Sequence, residues 1–301
     1  MKKIKINFVD FWPNLIKDDN YFYNLLKTKY DVEIDEVNPD VLFFSVDYGN
    51  ARERDRYKNC LKVFYTGEDA APNWNECDLA YTFRHSSDPR EYRLPLWALY
   101  FNWFNRPYND DRDQALLWDM KDFLNKPTQV NKPNFCGFIN MQPKGKRVEF
   151  VPKLMNYKKV DCAGPLYHNT PYVITDSRGN LARGDQKYKV DWLSSYKFSV
   201  SMENCCSLGY CTEKIIHAMF ANCIPIYWGS ESVNQDFNEN SFINCHNFSS
   251  DEEVIEKIKE LDSDNRKYAK MLMGEPWFND NKIPDFVQPD SVLTLLSNKL
   301  D

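Results

Sequence analysis

YKFSVSMENCCSLGYCTEKIIHAMFANCIPIYWG, residues 196–229, decides the fold. Its two ends, YKFSVSM and CIPIYWG, are apolar runs rich in aromatic and β-branched residues and read as buried strands. Between them lie a polar turn holding Glu203 and Asn204, a helix start at Thr212-Glu213-Lys214, and a short helix. Thr212 is a good N-cap type, so the backbone N–H groups after it are free to meet an anion, with Lys214 beside them as a mobile cation. That is the outline of a diphosphate seat. A lone TEK tripeptide is more commonly an ordinary capped helix packed on a sheet, and the spacing alone leaves both readings open.

Outward from this unit, the first half of the chain alternates short β-rich runs with helical or polar ones. KIKINFVDF, VEIDEV, VLFFSV, KVFYTGE and DLAYTF are the strands, with a helix over 20–30 and a polar segment over 52–58. Apolar runs of this length bounded by polar turns predict a mostly parallel, doubly wound sheet. The pattern weakens after Arg106, where one helical stretch, 114–124, precedes a linker at 126–132. NFCGFIN, a helix over 146–156 and the strand KKVDCAG open a second half. A polar excursion over 166–188 follows and is a candidate loop over a ligand. Helices are expected at 251–261, 266–273 and 291–300. The division predicted is a first domain over 1–128, a second over 129–276 and a final segment over 277–301.

Length allows two ordinary domains with ample core: the chain has 301 residues. A net charge of −6 argues against a polyanionic partner such as nucleic acid or an anionic membrane. The nine cysteines are an odd, scattered set, with Cys205 and Cys206 adjacent and badly placed to bridge one another. A reduced cytosol suits them better than a secretory lumen. The start, MKKIKINFVDF, has only a short apolar run soon interrupted by Asp10, and it reads as a first strand and not as a signal peptide or anchor. A soluble, cytoplasmic protein is expected.

Residues 196–229 as a whole resemble the signature of the α1,3-fucosyltransferases of glycosyltransferase family 10. The matching elements are Glu203-Asn204, Tyr210-Cys211-Thr212-Glu213-Lys214, and Ile224-Pro225-Ile226-Tyr227-Trp228-Gly229. A second segment, Phe64-Tyr65-Thr66-Gly67-Glu68, is similar to the family's Tyr-Thr-Gly-Glu. The resemblance implies a GT-B fold, with two Rossmann-like α/β domains facing a central cleft, the first binding acceptor and the second GDP-fucose, and with the C-terminal segment packed back on the first. It implies an inverting transfer of L-fucose from GDP-β-L-fucose to an N-acetyllactosamine-type glycan, giving a Lewis x-like product in a bacterial or viral-host cytoplasm. Glu68 then matches the general base, and Gly67 would let the backbone approach the nucleotide closely. Lys214 matches the diphosphate-binding lysine, Glu213 the acid on ribose or sugar hydroxyls, Tyr210 the ring beside the nucleotide, and Glu203 and Asn204 the turn lining the same site. The family's phosphate-binding arginine corresponds to Arg183, with Arg178 as the alternative. Arg84 and His85 fall where the family faces its acceptor, and a surface turn would account for them equally well.

No cofactor is required on this reading. The donor is GDP-fucose, and a divalent cation could at most stimulate. Asp111-Arg112-Asp113 and Asp262-Ser263-Asp264 fit a DxD spelling but read most simply as solvated turns, and Cys205, Cys206, Cys211 and His217 lack zinc-ligand spacing. The chain holds no G-x-G-x-x-G, P-loop or G-x-S-x-G, which removes the usual dehydrogenase, kinase and hydrolase readings. The rival readings are a GT-B enzyme using another nucleotide sugar and a non-catalytic carbohydrate- or nucleotide-binding protein.

Overall fold

The computed structural model describes residues 1–12, 15–47, 52–106, 117–126, 132–171 and 186–301. They divide into two compact units, Met1–Leu99 with Asp285–Asp301, and Tyr100–Pro284. Both are built around a parallel sheet.

In the first unit the strands are β1 (Lys3–Val9), β2 (Asp31–Ile34), β3 (Val41–Phe44), β4 (Leu61–Tyr65), β5 (Leu79–Thr82) and β6 (Glu91–Arg93). Their spatial order is β2-β1-β3-β4-β5-β6, every pair parallel. A parallel sheet must be covered on both faces, and the strands accordingly read as nearly continuous apolar runs, with all four residues of β3 buried. Helix α1 (Tyr21–Lys27) starts where the Asn20 side chain accepts the Tyr23 N–H at 3.0 Å. It drives Phe22 onto the sheet, with ring centroids 5.0 Å from Phe43 and 5.2 Å from both Tyr65 and Tyr81. The terminal helix, Pro289–Leu300, belongs to this unit: the Tyr81 hydroxyl donates to the Val292 carbonyl at 2.9 Å, and Tyr30 and Lys29 hold the Asp301 carboxylate.

In the second unit the strands are β7 (Asn134–Phe138), β8 (Val160–Cys162), β9 (Tyr196–Met202), β10 (Ile224–Trp228) and β11 (Ile243–Asn244), in the parallel order β11-β10-β9-β7-β8. Counted from its own first strand, this is the 2-1-3-4-5 path that the first unit also follows. The direction of winding reverses between β7 and β9, the place where open α/β sheets bind ligands at their carboxyl ends. The helices here are α2 (Met120–Leu124), α3 (Arg147–Met155), α4 (Gln186–Leu193), α5 (Glu213–Phe220), α6 (Asp251–Ser263) and α7 (Asn265–Ala269), with the terminal helix above counted as α8.

The sequence reading divides the chain at 128 and starts its last segment at 277, whereas packing divides it after Leu99 and at Asp285. The reason is an aromatic cluster. Phe101 lies 5.1 Å from Phe123, 5.7 Å from Phe220 and 6.2 Å from Phe278, and Trp118 stacks on Phe220 at 4.3 Å. These rings tie 100–126 and 277–284 to α5. Three smaller differences follow from local packing. β6 is short and half-buried, so it carries no apolar run to betray it. Within the described residues the expected 114–124 helix is only the five residues of α2, and the excursion ends where α4 begins at Gln186. Asp262 is no solvated turn: its side chain is 5% exposed and takes Lys158, Lys197 and Tyr157.

Because Phe22 fills the angle between Phe43, Tyr65 and Tyr81, Phe22→Ala is expected to lower unfolding free energy by about 3–5 kcal/mol, the range for deleting a buried aromatic ring. Urea denaturation followed by circular dichroism checks it.

Candidate active site

At the carboxyl end of β9 the Glu203 side chain is fully buried, with 0% of its surface exposed. Burying a carboxylate there is costly unless its oxygens are filled. Thr212 supplies its backbone N–H to Oε1 at 2.8 Å, and its hydroxyl lies 2.8 Å from both oxygens. Lys214 Nζ donates to Oε2 at 2.9 Å and to the Thr212 hydroxyl at 2.9 Å. Thr212 is indeed the N-cap residue of α5, but its hydroxyl is engaged by Glu203 and makes no capping bond. Lys214 is accordingly held in place; the mobile cation expected from the sequence is fixed because the buried carboxylate needs a counter-charge.

Neighbouring glycines make this packing possible. The Glu203 N–H donates to the Trp228 carbonyl at 2.7 Å, so the turn lies directly against the end of β10. A Cβ on Gly229 would come within 2.5 Å of the Tyr227 hydroxyl and 2.6 Å of Glu203 Cγ. Only glycine fits there. The hydroxyl of Tyr227 reaches the Tyr210 carbonyl at 3.4 Å, and the Ser230 hydroxyl accepts the Gly209 N–H at 2.7 Å, which anchors the 205–210 turn. Tyr210 itself is buried at 2% exposure.

Beside the network opens a cavity of about 230 Å³. Its wall is formed by Asn140 and Gln142 after β7 and by Gly164 after β8; Asn204 after β9 and Glu213, Lys214 and His217 from α5 complete it. It therefore sits at the switch point of the second sheet. Glu203 stands behind it, acting through Thr212 and Lys214.

Burial acts against the charge on Lys214, but the Glu203 and Glu213 carboxylates outweigh it and hold the amine above its ordinary value. Glu213, likewise opposed by burial, is brought down to about 2 by Lys214 and the other positive neighbours. His217, four residues after Glu213 on the same helical face, goes the other way: burial pushes it down to about 3 against the pull of Glu213, leaving a neutral imidazole. Its ring meets Tyr100 edge-on at 5.4 Å and Trp118 at 5.6 Å.

Of the residues singled out from the sequence, Asn204, Glu213 and Lys214 line this cavity; Glu203 is bonded to Lys214, and Tyr210 is buried in the adjoining turn without lining it. Arg178 and Arg183 lie outside the described residues, as does Asp111-Arg112-Asp113. Gly67, Glu68, Arg84 and His85 belong to the first unit. Gly67 is buried with its α-carbon pressed toward Leu96, whose Cδ1 would lie 2.8 Å from an added Cβ. Glu68 is exposed at the carboxyl end of β4, its N–H donated to the Thr66 hydroxyl at 2.9 Å. The Arg84 N–H goes to Thr82, its guanidinium lies 3.8 Å from Glu91, and His85 is exposed. Lys189, His217 and Arg147 were not legible as site residues. Lys189 lines the cavity from a helix whose alternating lysines resemble a solvated face, and Arg147 opens what reads as an ordinary helix. Among the described residues no group of His, Cys, Asp or Glu converges as a metal site.

Two family models match the chain: the Alpha-(1,3)-fucosyltransferase FucT N-terminal domain over residues 6–100, and the Glycosyltransferase family 10 (fucosyltransferase) C-terminal region over 130–289. The chain belongs to glycosyltransferase family 10. Among curated relatives, the Helicobacter pylori alpha-(1,3)-fucosyltransferase FucT is 32% identical over 291 residues, covering 91% of this chain and 60% of its own length. The chain thus spans less than two thirds of that relative. A crystal structure of an alpha1,3-fucosyltransferase with GDP superposes with a TM-score of 0.71 at 25% identity, covering 99% of this chain and 90% of its own. One with GDP-fucose gives 0.69 at 24%, covering 100% and 91%. The fold class is GT-B, with two Rossmann-like units. Among the described residues no helix is long and apolar enough to cross a membrane.

Removing one member of the Glu203 network should be costly. Glu203→Ala is expected to destabilise the protein by about 3 kcal/mol, the lower part of the range for breaking a buried ion pair, since Lys214 keeps some solvent contact. Thermal and chemical denaturation of the variant measure it.

Proposed function

We propose that the protein is an inverting α1,3-fucosyltransferase, moving L-fucose from GDP-β-L-fucose to an N-acetyllactosamine-type glycan and giving a Lewis x-like product. The observation that carries this reading is Lys214, fixed by Glu203 at the wall of a cavity at the switch point of the second sheet. Family membership, the activity of the Helicobacter pylori relative and the GDP bound in a similar structure support the same donor. In this reading Lys214 and the N-terminus of α5 take the diphosphate, with Lys189 as a second cation at the cavity, and Glu213 takes hydroxyls of the ribose or the fucose. Arg183 joins the phosphates, Tyr210 and the Glu203-Asn204 turn shape the nucleotide site, and Gly67 belongs to the loop that carries the base. Arg84 and His85 meet the acceptor.

Glu68 acts as the base. Its carboxylate removes the proton from the acceptor hydroxyl as that oxygen attacks the fucose anomeric carbon. The bond from that carbon to the GDP oxygen breaks on the opposite side, its electron pair leaving with GDP, and the charge that develops on the diphosphate is met by Lys214. The proton then passes from Glu68 to solvent. A cytoplasmic location belongs to the same proposal, supported by the odd, scattered set of nine cysteines.

Incubation with GDP-fucose and N-acetyllactosamine, followed by linkage determination, tests the reaction; transfer from another nucleotide sugar and none from GDP-fucose would sink it. Lys214→Ala is expected to weaken GDP by about 1.5–3 kcal/mol on the folded variant, read by calorimetric titration. Glu68→Gln should leave GDP affinity nearly intact and cut turnover by about 10²–10⁴-fold. Near-normal turnover with an unaltered pH profile would remove Glu68 from the chemistry.

A further inference from the structure

His217 stands on α5 one turn after Glu213, so the two side chains leave the same face of the helix. It is 4% exposed and forms part of the cavity wall. Its ring is perpendicular to that of Tyr100, with centroids 5.4 Å apart, and lies 5.6 Å from that of Trp118. Nε2 is sealed inside the protein without a partner, whereas Nδ1 keeps accessible surface and makes no hydrogen bond among the described residues. The ring therefore reaches the cavity through Nδ1. Burial pushes the imidazole down to about 3 and holds it neutral, so one nitrogen carries a proton and the other a lone pair. The faces of aromatic rings are negative; they receive an N–H weakly and repel a lone pair. The proton accordingly belongs on Nε2, among the rings, and the lone pair on Nδ1, at the cavity.

A phosphate oxygen is itself an acceptor and gains nothing from a lone pair, so the ligand group that meets His217 has to carry a proton. Lys214 and the first N–H groups of α5 take the diphosphate in the donor-site reading, and His217 lies a full helical turn beyond Glu213, away from that end. Ile139, Ala163, Leu193 and Val200 give the same cavity an apolar lining that suits a flat base, whereas the sugar that reacts must stay open to the acceptor. We infer that His217 is a binding residue for the nucleoside: its Nδ1 accepts a hydrogen bond from the exocyclic amine of guanine or from a ribose hydroxyl, beside the Glu213 carboxylate. This deepens the donor-site reading and rests on it. A nucleoside that offered an acceptor at this place would set lone pair against lone pair, which makes the position selective as well as attractive.

Titration calorimetry well below the thermal midpoint of each variant, so that every sample is folded, separates this bond from mere packing. His217→Phe keeps a ring among the rings and removes the lone pair; GDP should bind it about 3–10-fold more weakly, the effect of losing one neutral hydrogen bond. His217→Asn puts an amide oxygen near the place of Nδ1 and should recover most of that loss, although it fills the space less well. IDP, which lacks the exocyclic amine, and 2′-deoxy-GDP and 3′-deoxy-GDP, which each lack one ribose hydroxyl, identify the ligand's donor: wild type and His217→Phe should bind the relevant analogue equally and keep their difference on the others. If wild type binds GDP and His217→Phe binds it as tightly, if His217→Asn is no better than His217→Phe, or if the difference between wild type and His217→Phe is the same for GDP and all three analogues, the inference falls and the donor-site reading stands. If wild type fails to bind GDP, both fall together.

Discussion

Glu203 is a carboxylate with no exposed surface, at the end of a central strand, and its need for partners organises everything near it. Two oxygens in a dry environment take a backbone N–H, a hydroxyl and an ammonium, and all three come from the single segment that starts α5. The helix start is thereby locked to the strand end, and Lys214 is held at the cavity wall in one geometry. A lysine left free would spend rotamer entropy on each encounter with an anion; one already ordered by a buried carboxylate does not. The same bond tempers its charge, so the pull on an anion is shared among Lys214, Lys189 and the backbone donors of α5.

Topology puts this network where it can meet a ligand. Both units follow the same 2-1-3-4-5 strand path, and in the second the reversal between β7 and β9 opens the space into which the loops after β7, β8 and β9 project. Close approach is obtained with glycines at the two points where backbone must touch the Glu203 turn, Gly145 on one side and Gly229 on the other. Arg147 enters through the first of these contacts, and the Tyr227 hydroxyl with its bonds to the 205–210 turn through the second.

Much of this was legible because it is local. The strands of 196–202 and 224–228 announce themselves as apolar runs, and Thr212, Glu213 and Lys214 stand at a helix start in any reading of the sequence. The resemblance to family 10 rests on that same continuous stretch and on the short segment from Phe64 to Glu68. What was misread depended on distant partners. Thr212 looked like a side-chain cap and Lys214 like a mobile cation because the residue that claims both, Glu203, is nine and eleven positions away. The division near 128 looked natural because the polar stretches around it resemble linkers, while the rings of Phe101, Trp118 and Phe123 that join this region to Phe220 are scattered singly.

The amino-acid sequence by itself determined the period of each element, the parallel α/β class and the membership in a family, since all three follow from patterns within a few tens of residues. Only the tertiary structure decided that Arg147 faces Asn204 across 57 positions, that His217 is a neutral imidazole among aromatic rings, and that Lys189 borders the same cavity as Lys214. Those properties are set by burial and by which side chain stands opposite, and neither is a function of neighbours along the chain.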